Sequence, residues 1–253
     1  MRIGITEQGD AGVTTYWQSK LPYVDGAILI TKNITKVFHD AVLALKDKRP
    51  LIVHATITGW GHTVVEPHVS EYKQALDALC SLIRDGFPVE NCVLRIDPII
   101  PTEPGLDMVT NVLDEALSRP ELKNIRVRIS ILDEYRHVKE RLNRAGYASF
   151  YGNNRFQPNQ REINDVIKTL EPYYTNYGIQ FETCAETKLT HPMFLHQGCI
   201  STKDLEIMGL SIPNDIQVNP QQRNGCLCLS CKTELLCHKH PCMHECLYCY
   251  WKD

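Results

Sequence analysis

The run Cys242-Met243-His244-Glu245-Cys246-Leu247-Tyr248-Cys249 decides how the rest of the chain is read. Its cysteines are spaced C-x3-C-x2-C, with an aromatic residue just before the last. Three thiolates closing on so short a loop can hold three corners of an iron–sulfur cube, a cluster that otherwise takes four cysteines. The remaining iron is then open to bind and reduce a small molecule, as an open position on a catalytic metal is. The competing reading is zinc. Cys226, Cys228, Cys231, Cys237, His238 and His240 crowd the same tail, and tetrahedral zinc accepts Cys and His together. The scaffold that carries the loop separates the two readings.

Working outward, the 253 residues are enough for one large core. A formal charge of −3 names no partner. No apolar run is long enough to span a bilayer, and Met1-Arg2-Ile3-Gly4-Ile5 lacks the apolar centre of a signal peptide. A cytoplasmic protein without a membrane partner is expected. Eleven cysteines in such a chain point to metal or catalysis rather than disulfides. Seven of them fall in the last 28 residues, while Cys80 and Cys92 sit in apolar surroundings and read as core.

Upstream, short β-rich runs alternate with helical periodicity, the mark of an α/β fold with a parallel sheet. Strands are expected at 2–6, 27–31, 51–57, 93–96, 125–131 and 179–183. Helices are expected at 13–21, 36–48, 70–84, 106–117, 134–144 and 161–173. Six β/α units suit a partial barrel, although strand count alone also allows an eight-stranded barrel or a doubly wound sheet. After Cys184 the periodicity fades. The expected organisation is a barrel over 1–186 and a cysteine-rich extension over 187–253 folded on its mouth.

Functional groups in parallel barrels gather where the strands end. Those ends carry Thr31-Lys32-Asn33, Thr56-Ile57-Thr58-Gly59-Trp60-Gly61, Arg95 with Asp97-Pro98, Ser130 with Asp133-Glu134-Tyr135, and Thr183-Cys184-Ala185-Glu186. Singly, such residues are solvated turns or helix caps. Together they outline one mouth.

The C-x3-C-x2-C loop with its aromatic resembles the signature of the radical S-adenosylmethionine (SAM) superfamily. The strand ends, with Glu66-Pro67, Gly198-Cys199-Ile200, Gln222-Arg223 and Cys226-Leu227-Cys228, are also similar to a bacterial and phage family of unknown function. That family's C-terminal cysteines mimic the same loop. The resemblance runs in order along nearly the whole chain. It implies a circularly permuted partial (β/α)6 barrel, with the cluster loop moved from after the first strand to the C-terminus. Cys242, Cys246 and Cys249 would hold a [4Fe-4S] cluster that binds SAM. Tyr248 would border the adenine, and Thr31, Lys32, Asn33 and Ser130 would bind the rest of SAM. Arg95, Asp97 and Glu186 would line the substrate side, Glu186 as a proton shuttle. Electrons would come from an external flavodoxin-like or ferredoxin-like donor. Cys231 and Cys237 depart from the family pattern, as does a two-residue insertion around His240 and Pro241.

The remaining cysteines suggest a second, auxiliary [4Fe-4S] cluster. Local spacing offers Cys226, Cys228, Cys231 and Cys237; the resemblance favours Cys184, Cys199, Cys226 and Cys228. For the substrate, residues 146–161 interleave Tyr147, Phe150, Tyr151 and Phe156 with Asn153, Asn154, Arg155 and Arg161. Arg126, Arg128, Arg136, Lys139, Arg141 and Arg144 stand upstream. Aromatics between Arg and Asn suit stacking on bases and contact with phosphate, so Tyr151, Arg155, Phe156 and Arg161 are the expected DNA contacts; a solvated surface loop is the alternative. Within the permuted radical SAM proteins, the chain is most similar to phage enzymes that rearrange glycyl-modified thymine in DNA to 5-α-glycylthymidine. That resemblance implies an isomerase working in a phage-infected bacterium, with Arg95 or Lys32 clamping the glycyl carboxylate. Radical modification of a small molecule or peptide, and a non-catalytic zinc-stabilised nucleic-acid-binding protein, are the other readings.

Overall fold

The computed structural model describes residues 1–152, 154–214, 216–218, 225–237 and 242–251. Asn153, Gln222, Arg223, His238, His240 and Pro241, named above, lie outside the described residues.

The strands are β1 (Ile3–Ile5), β2 (Gly26–Thr31), β3 (Leu51–Thr56), β4 (Cys92–Ile99), β5 (Arg126–Ile131), β6 (Phe181–Thr183), β7 (Phe194–His196) and β8 (Lys232–Glu234). They form one sheet, ordered β7-β6-β5-β4-β3-β2-β1-β8, and every pairing is parallel. All six expected strands are present. β7 and β8 are additional: both come from the expected extension, and they add one strand at each edge of the sheet. Each is only three residues long, too short to carry a period-two signal. The sheet therefore crosses the boundary expected at residue 186.

The helices are α1 (Lys36–Leu45), α2 (Tyr72–Arg84), α3 (Glu103–Leu117), α4 (Arg136–Arg144), α5 (Gln160–Tyr177) and α6 (Thr202–Ile207). The helix expected at 13–21 is instead a 3-10 turn, Tyr16–Tyr23, that contains Pro22. α5 runs past Pro172 and stops at Gly178, whose φ of 70° is open to glycine at no steric cost.

Alternation along the strands divides their side chains between two faces. Leu29, Val53, Leu94, Ile96, Val127 and Ile129 face one way and form the main core with Phe38, Val42, Leu76, Leu79, Val112 and Leu170 of the helices. β2, β3 and β5 are buried along their whole length, as strands covered on both faces are. On the other face, Ile3, Ile5, Ile28, Ile52 and Val93 pack against Cys199, Ile200, Leu205, Cys226, Cys228 and Leu229. The cysteine-rich segment thus covers this second face.

Beside that cluster the second face is charged. Arg126 meets Glu182 at 2.9 Å and Asp204 at 2.7 Å, and Arg128 meets Glu182 at 2.8 Å, all four side chains being buried. Two cations against two anions leave no net buried charge. Asp204 also closes the capping box of α6 with Ser201. Arg128 donates to the Cys199 carbonyl at 3.2 Å. The network therefore docks α6 and Cys199 onto β5 and β6. Arg126 and Arg128, noted above among the basic residues upstream of the 146–161 loop, are thus turned inward by their alternate positions on β5 and paired.

Candidate active site

The C-x3-C-x2-C loop packs on the C-terminal ends of the strands, pinned at several points. His244 Nε2 lies 2.9 Å from Asp10 Oδ2. Asp10 in turn accepts from the Thr31 hydroxyl and from the Lys32 backbone N–H, each at 2.7 Å. Burial alone would raise the Asp10 pKa, but the His244 contact and these hydrogen bonds hold it below the usual carboxylate value. Leu247 N–H donates to the Val65 carbonyl at 3.0 Å. From α4, the Arg141 guanidinium donates to the Cys246 carbonyl at 3.3 Å and also to the Cys249 carbonyl.

Tyr248 is buried, and its hydroxyl meets Lys32 Nζ at 2.7 Å and the Glu66 carboxylate. Lys32 Nζ lies 2.8 Å from Glu66. Burial would lower the Lys32 pKa, yet Glu66 and Cys246 hold it above its ordinary value. Burial pushes the Cys246 thiol up to about 12 and raises Cys242 too; neighbouring thiols of the loop add to both shifts. Among the described residues these three sulfurs do not close into a grouping within 4.8 Å of one another.

A cavity of about 1270 Å³ opens at this end of the sheet. Cys242, Cys246, Cys249 and Tyr248 line it, as do Thr31, Lys32, Arg95, Asp97 and Ser130. Arg95 is ion-paired with Asp97, whose other oxygen accepts the Ser130 hydroxyl. Asn33 and Glu186 are not among the lining residues. Asn33 joins the neighbouring loop, accepting from Ser70 N–H at 2.9 Å and donating to the His68 carbonyl at 3.3 Å. Glu186 accepts the Ile131 N–H at 3.1 Å.

Cys184, Cys199 and Cys226 line the same cavity. The sulfurs of Cys184, Cys226 and Cys228 lie within 4.8 Å of one another, a grouping that can hold a metal or an iron–sulfur cluster. Cys199 Sγ is 3.4 Å from Cys184 Sγ, and the Cys199 N–H donates to Cys228 Sγ at 3.2 Å. Hydrogen bonding to Cys184 pulls the Cys226 and Cys228 thiols well down, while Cys184 itself is driven up. The close grouping thus holds three of the expected set, Cys184, Cys226 and Cys228, with Cys199 beside Cys184 but outside the three-sulfur grouping. Cys231 and Cys237 are outside the close grouping among the described residues.

Sequence reading misses several residues of this site. The rule applied to strands two to six extends to β1, whose end carries Glu7 and Asp10. Glu7 is ion-paired with Lys232, and its N–H donates to Glu234 at 3.1 Å; all three line the cavity. Burial raises both glutamates to about 7; the Cys199 charge adds to the Glu7 shift. Lys232 and Glu234 belong to β8, which carries no signal in the sequence. Arg141 is visible only as one of a run of basic residues.

The expected DNA loop is corrected in part. Tyr151 is 3% exposed and donates its hydroxyl to the Leu132 carbonyl at 2.7 Å, so its ring offers no face to a base. Apolar periodicity marks no helix or strand here, and the sequence cannot show that the loop folds back on α4. Arg155 is ion-paired with Glu162 at 2.7 Å, and Lys139 is buried and donates to the Gly152 carbonyl at 2.6 Å. Phe156 is half exposed beneath Lys139 Nζ, and Arg161 is exposed. Among the described residues no helix is long and apolar enough to cross a membrane.

The family described as "Domain of unknown function (DUF1848)" matches residues 12–251, nearly the whole chain, and the protein belongs to it. No curated protein matches the chain.

Proposed function

We propose that this member of the DUF1848 family is a radical SAM enzyme built on a circularly permuted barrel. The observation that carries the reading is that two groups of cysteines open on one cavity at the C-terminal ends of a parallel sheet. The donor set fits an iron–sulfur group. Cys242, Cys246 and Cys249 would leave one position open, whereas Cys199, 3.4 Å from Cys184, would complete four thiols with the close grouping of Cys184, Cys226 and Cys228. A cluster held by Cys242, Cys246 and Cys249 would, given SAM and one electron from a flavodoxin-like or ferredoxin-like donor, supply the reductive SAM cleavage that yields the 5′-deoxyadenosyl radical for hydrogen abstraction.

β8 supports the permutation. It precedes the cysteine loop in sequence and lies beside β1 at the sheet edge, so it takes the place of the first strand of the unpermuted barrel. β1 then counts as the second strand, whose end holds SAM's amino group in the superfamily. That moves the role from Thr31-Lys32-Asn33 to the segment around Glu7, which lines the cavity as Asn33 does not. Lys32 and Thr31 instead fix Tyr248 and Asp10, and through them the loop. Arg95, balanced by Asp97, is the cation available to a substrate carboxylate.

The proposed substrate is a glycyl-modified thymine in DNA, whose carboxylate suits Arg95 and whose α-hydrogen is weakly held. The test is SAM cleavage under strong reduction without oxygen. Wild type yields 5′-deoxyadenosine and methionine, Cys246→Ala yields none, and Glu7→Gln binds SAM more weakly. Deuterium on the glycyl α-carbon appears in the 5′-deoxyadenosine. Cleavage without deuterium transfer discards this substrate, and absence of cleavage discards the radical reading.

Zinc at Cys184, Cys226 and Cys228 is the second reading. Ligands about 2.3 Å from one tetrahedral ion stand close together, and a 4.8 Å grouping accommodates that.

A further inference from the structure

The cavity has an aromatic rim. Tyr135, at the N-terminal cap of α4, stacks on His137 with ring centroids 5.9 Å apart and planes 4° from parallel. Tyr250 meets Tyr135 edge-on at 5.8 Å and 81°. These three rings and Trp251 all line the cavity. Tyr135, Tyr250 and Trp251 nevertheless remain 41, 40 and 37% exposed. Large rings clustered in that state at a cavity mouth mark a ligand surface rather than core.

Three observations say what covers them. At about 1270 Å³ the cavity exceeds the roughly 300–1,000 Å³ that one drug-sized ligand occupies, which leaves room for a second molecule beside SAM. Tyr250 and Arg95 line the same cavity, so the aromatic rim shares it with a cation that can take an anionic substituent. Tyr135 and His137 lie parallel, an arrangement at a cavity mouth that suits a further planar ring. By contrast, Tyr151 of the loop is buried.

We propose that Tyr135, His137, Tyr250 and Trp251 form the stacking platform for the planar base of the substrate, with Arg95 receiving the acidic group that the base carries. The assignment rests on the radical SAM reading and names where its substrate sits. A base must leave the duplex to reach this mouth, and stacking on exposed rings offsets the cost of leaving.

The experiment measures binding of a labelled single-stranded oligonucleotide carrying a glycyl-modified thymine, with SAM present and oxygen excluded. Each of Tyr135→Ala, Tyr250→Ala and Trp251→Ala weakens binding about tenfold or more, the scale of one lost base–aromatic stack. Tyr135→Phe and Tyr250→Phe keep the ring and bind as wild type. Tyr151→Phe and Phe156→Ala also bind as wild type. SAM binding and cleavage without substrate stay at the wild-type level in every platform variant, which separates this claim from the reading beneath it. Unchanged oligonucleotide affinity in the alanine variants, or no binding by wild type, overturns the platform while leaving SAM cleavage to judge the enzyme. Loss of SAM binding in those variants assigns the rings to the cofactor's adenine and overturns it. Loss only of reduction by a protein electron donor assigns them to that partner and overturns it as well.

Discussion

Arg141 shows how a single side chain can be misread from sequence. In a row with Arg136, Lys139 and Arg144 it reads only as local positive charge. In the structure it is buried and donates to the carbonyls of Cys246 and Cys249. A buried guanidinium that bonds the backbone of both residues would act as a positioning group for the cluster proposed at this loop. Arg141→Gln is therefore expected to lower the iron retained by the Cys242–Cys246–Cys249 site and shift its reduction potential, leaving the second site's iron unchanged. Iron analysis and redox titration of the anaerobic protein check this; wild-type values would show the contact to be incidental. Of the residues singled out in the sequence, Cys242, Cys246, Cys249, Arg95 and Ser130 all line the cavity. Sequence reading fails where direction decides. Arg126 and Arg128 lie on the inward alternation of β5, and Tyr151 and Lys139 are turned in by contacts distant in sequence.

At the scale of elements, the long strands announce themselves and the short ones do not. β2, β3 and β5 are six-residue runs rich in β-branched residues, and each is fully buried. β8 reads Lys232-Thr233-Glu234, half-buried throughout, and exists because β1 offers it an edge. Missing it hides both the strand next to the cluster loop and the Glu7–Lys232 pair. The β1 and β2 ends approach each other closely at Gly12. A Cβ there would stand 2.0 Å from the Asn33 carbonyl oxygen and 2.4 Å from Thr31 Oγ1. Backbone must move to admit it, disturbing the Thr31–Asp10–His244 chain that holds the cluster loop. Gly12→Ala is expected to cost about 1–3 kcal/mol, the usual price of overpacking, and to weaken SAM binding. Denaturant titration and SAM titration test it together; a variant as stable as wild type would mean that the two ends part freely.

For the whole molecule, the sheet is held to its cysteine-rich cover by the buried network of Arg126, Arg128, Glu182 and Asp204. Burial alone would raise the Glu182 pKa, but Arg128 and Arg126 bring it down from an ordinary 4.5 to about 2. The stabilisation is thus fully present above pH 4.5 and is lost as pH falls toward 2. Glu182→Gln leaves two buried cations short of a partner, at a cost of about 3–5 kcal/mol near neutrality. Its deficit relative to wild type is expected to shrink between pH 4.5 and 2, as wild type protonates the same group. Chemical denaturation across that range reads the difference, and a deficit independent of pH would move the effect from charge to packing.

Two iron–sulfur sites are proposed to flank the one cavity, and metal and acid-labile sulfide analysis tests this most directly. Protein purified without oxygen is expected to be brown and to contain iron and sulfide for two cubane clusters. A variant with Cys242, Cys246 and Cys249 all changed to Ala is expected to retain the amount for one, with its far-ultraviolet circular dichroism unchanged. Colourless wild-type protein holding stoichiometric zinc and no sulfide would contradict the account.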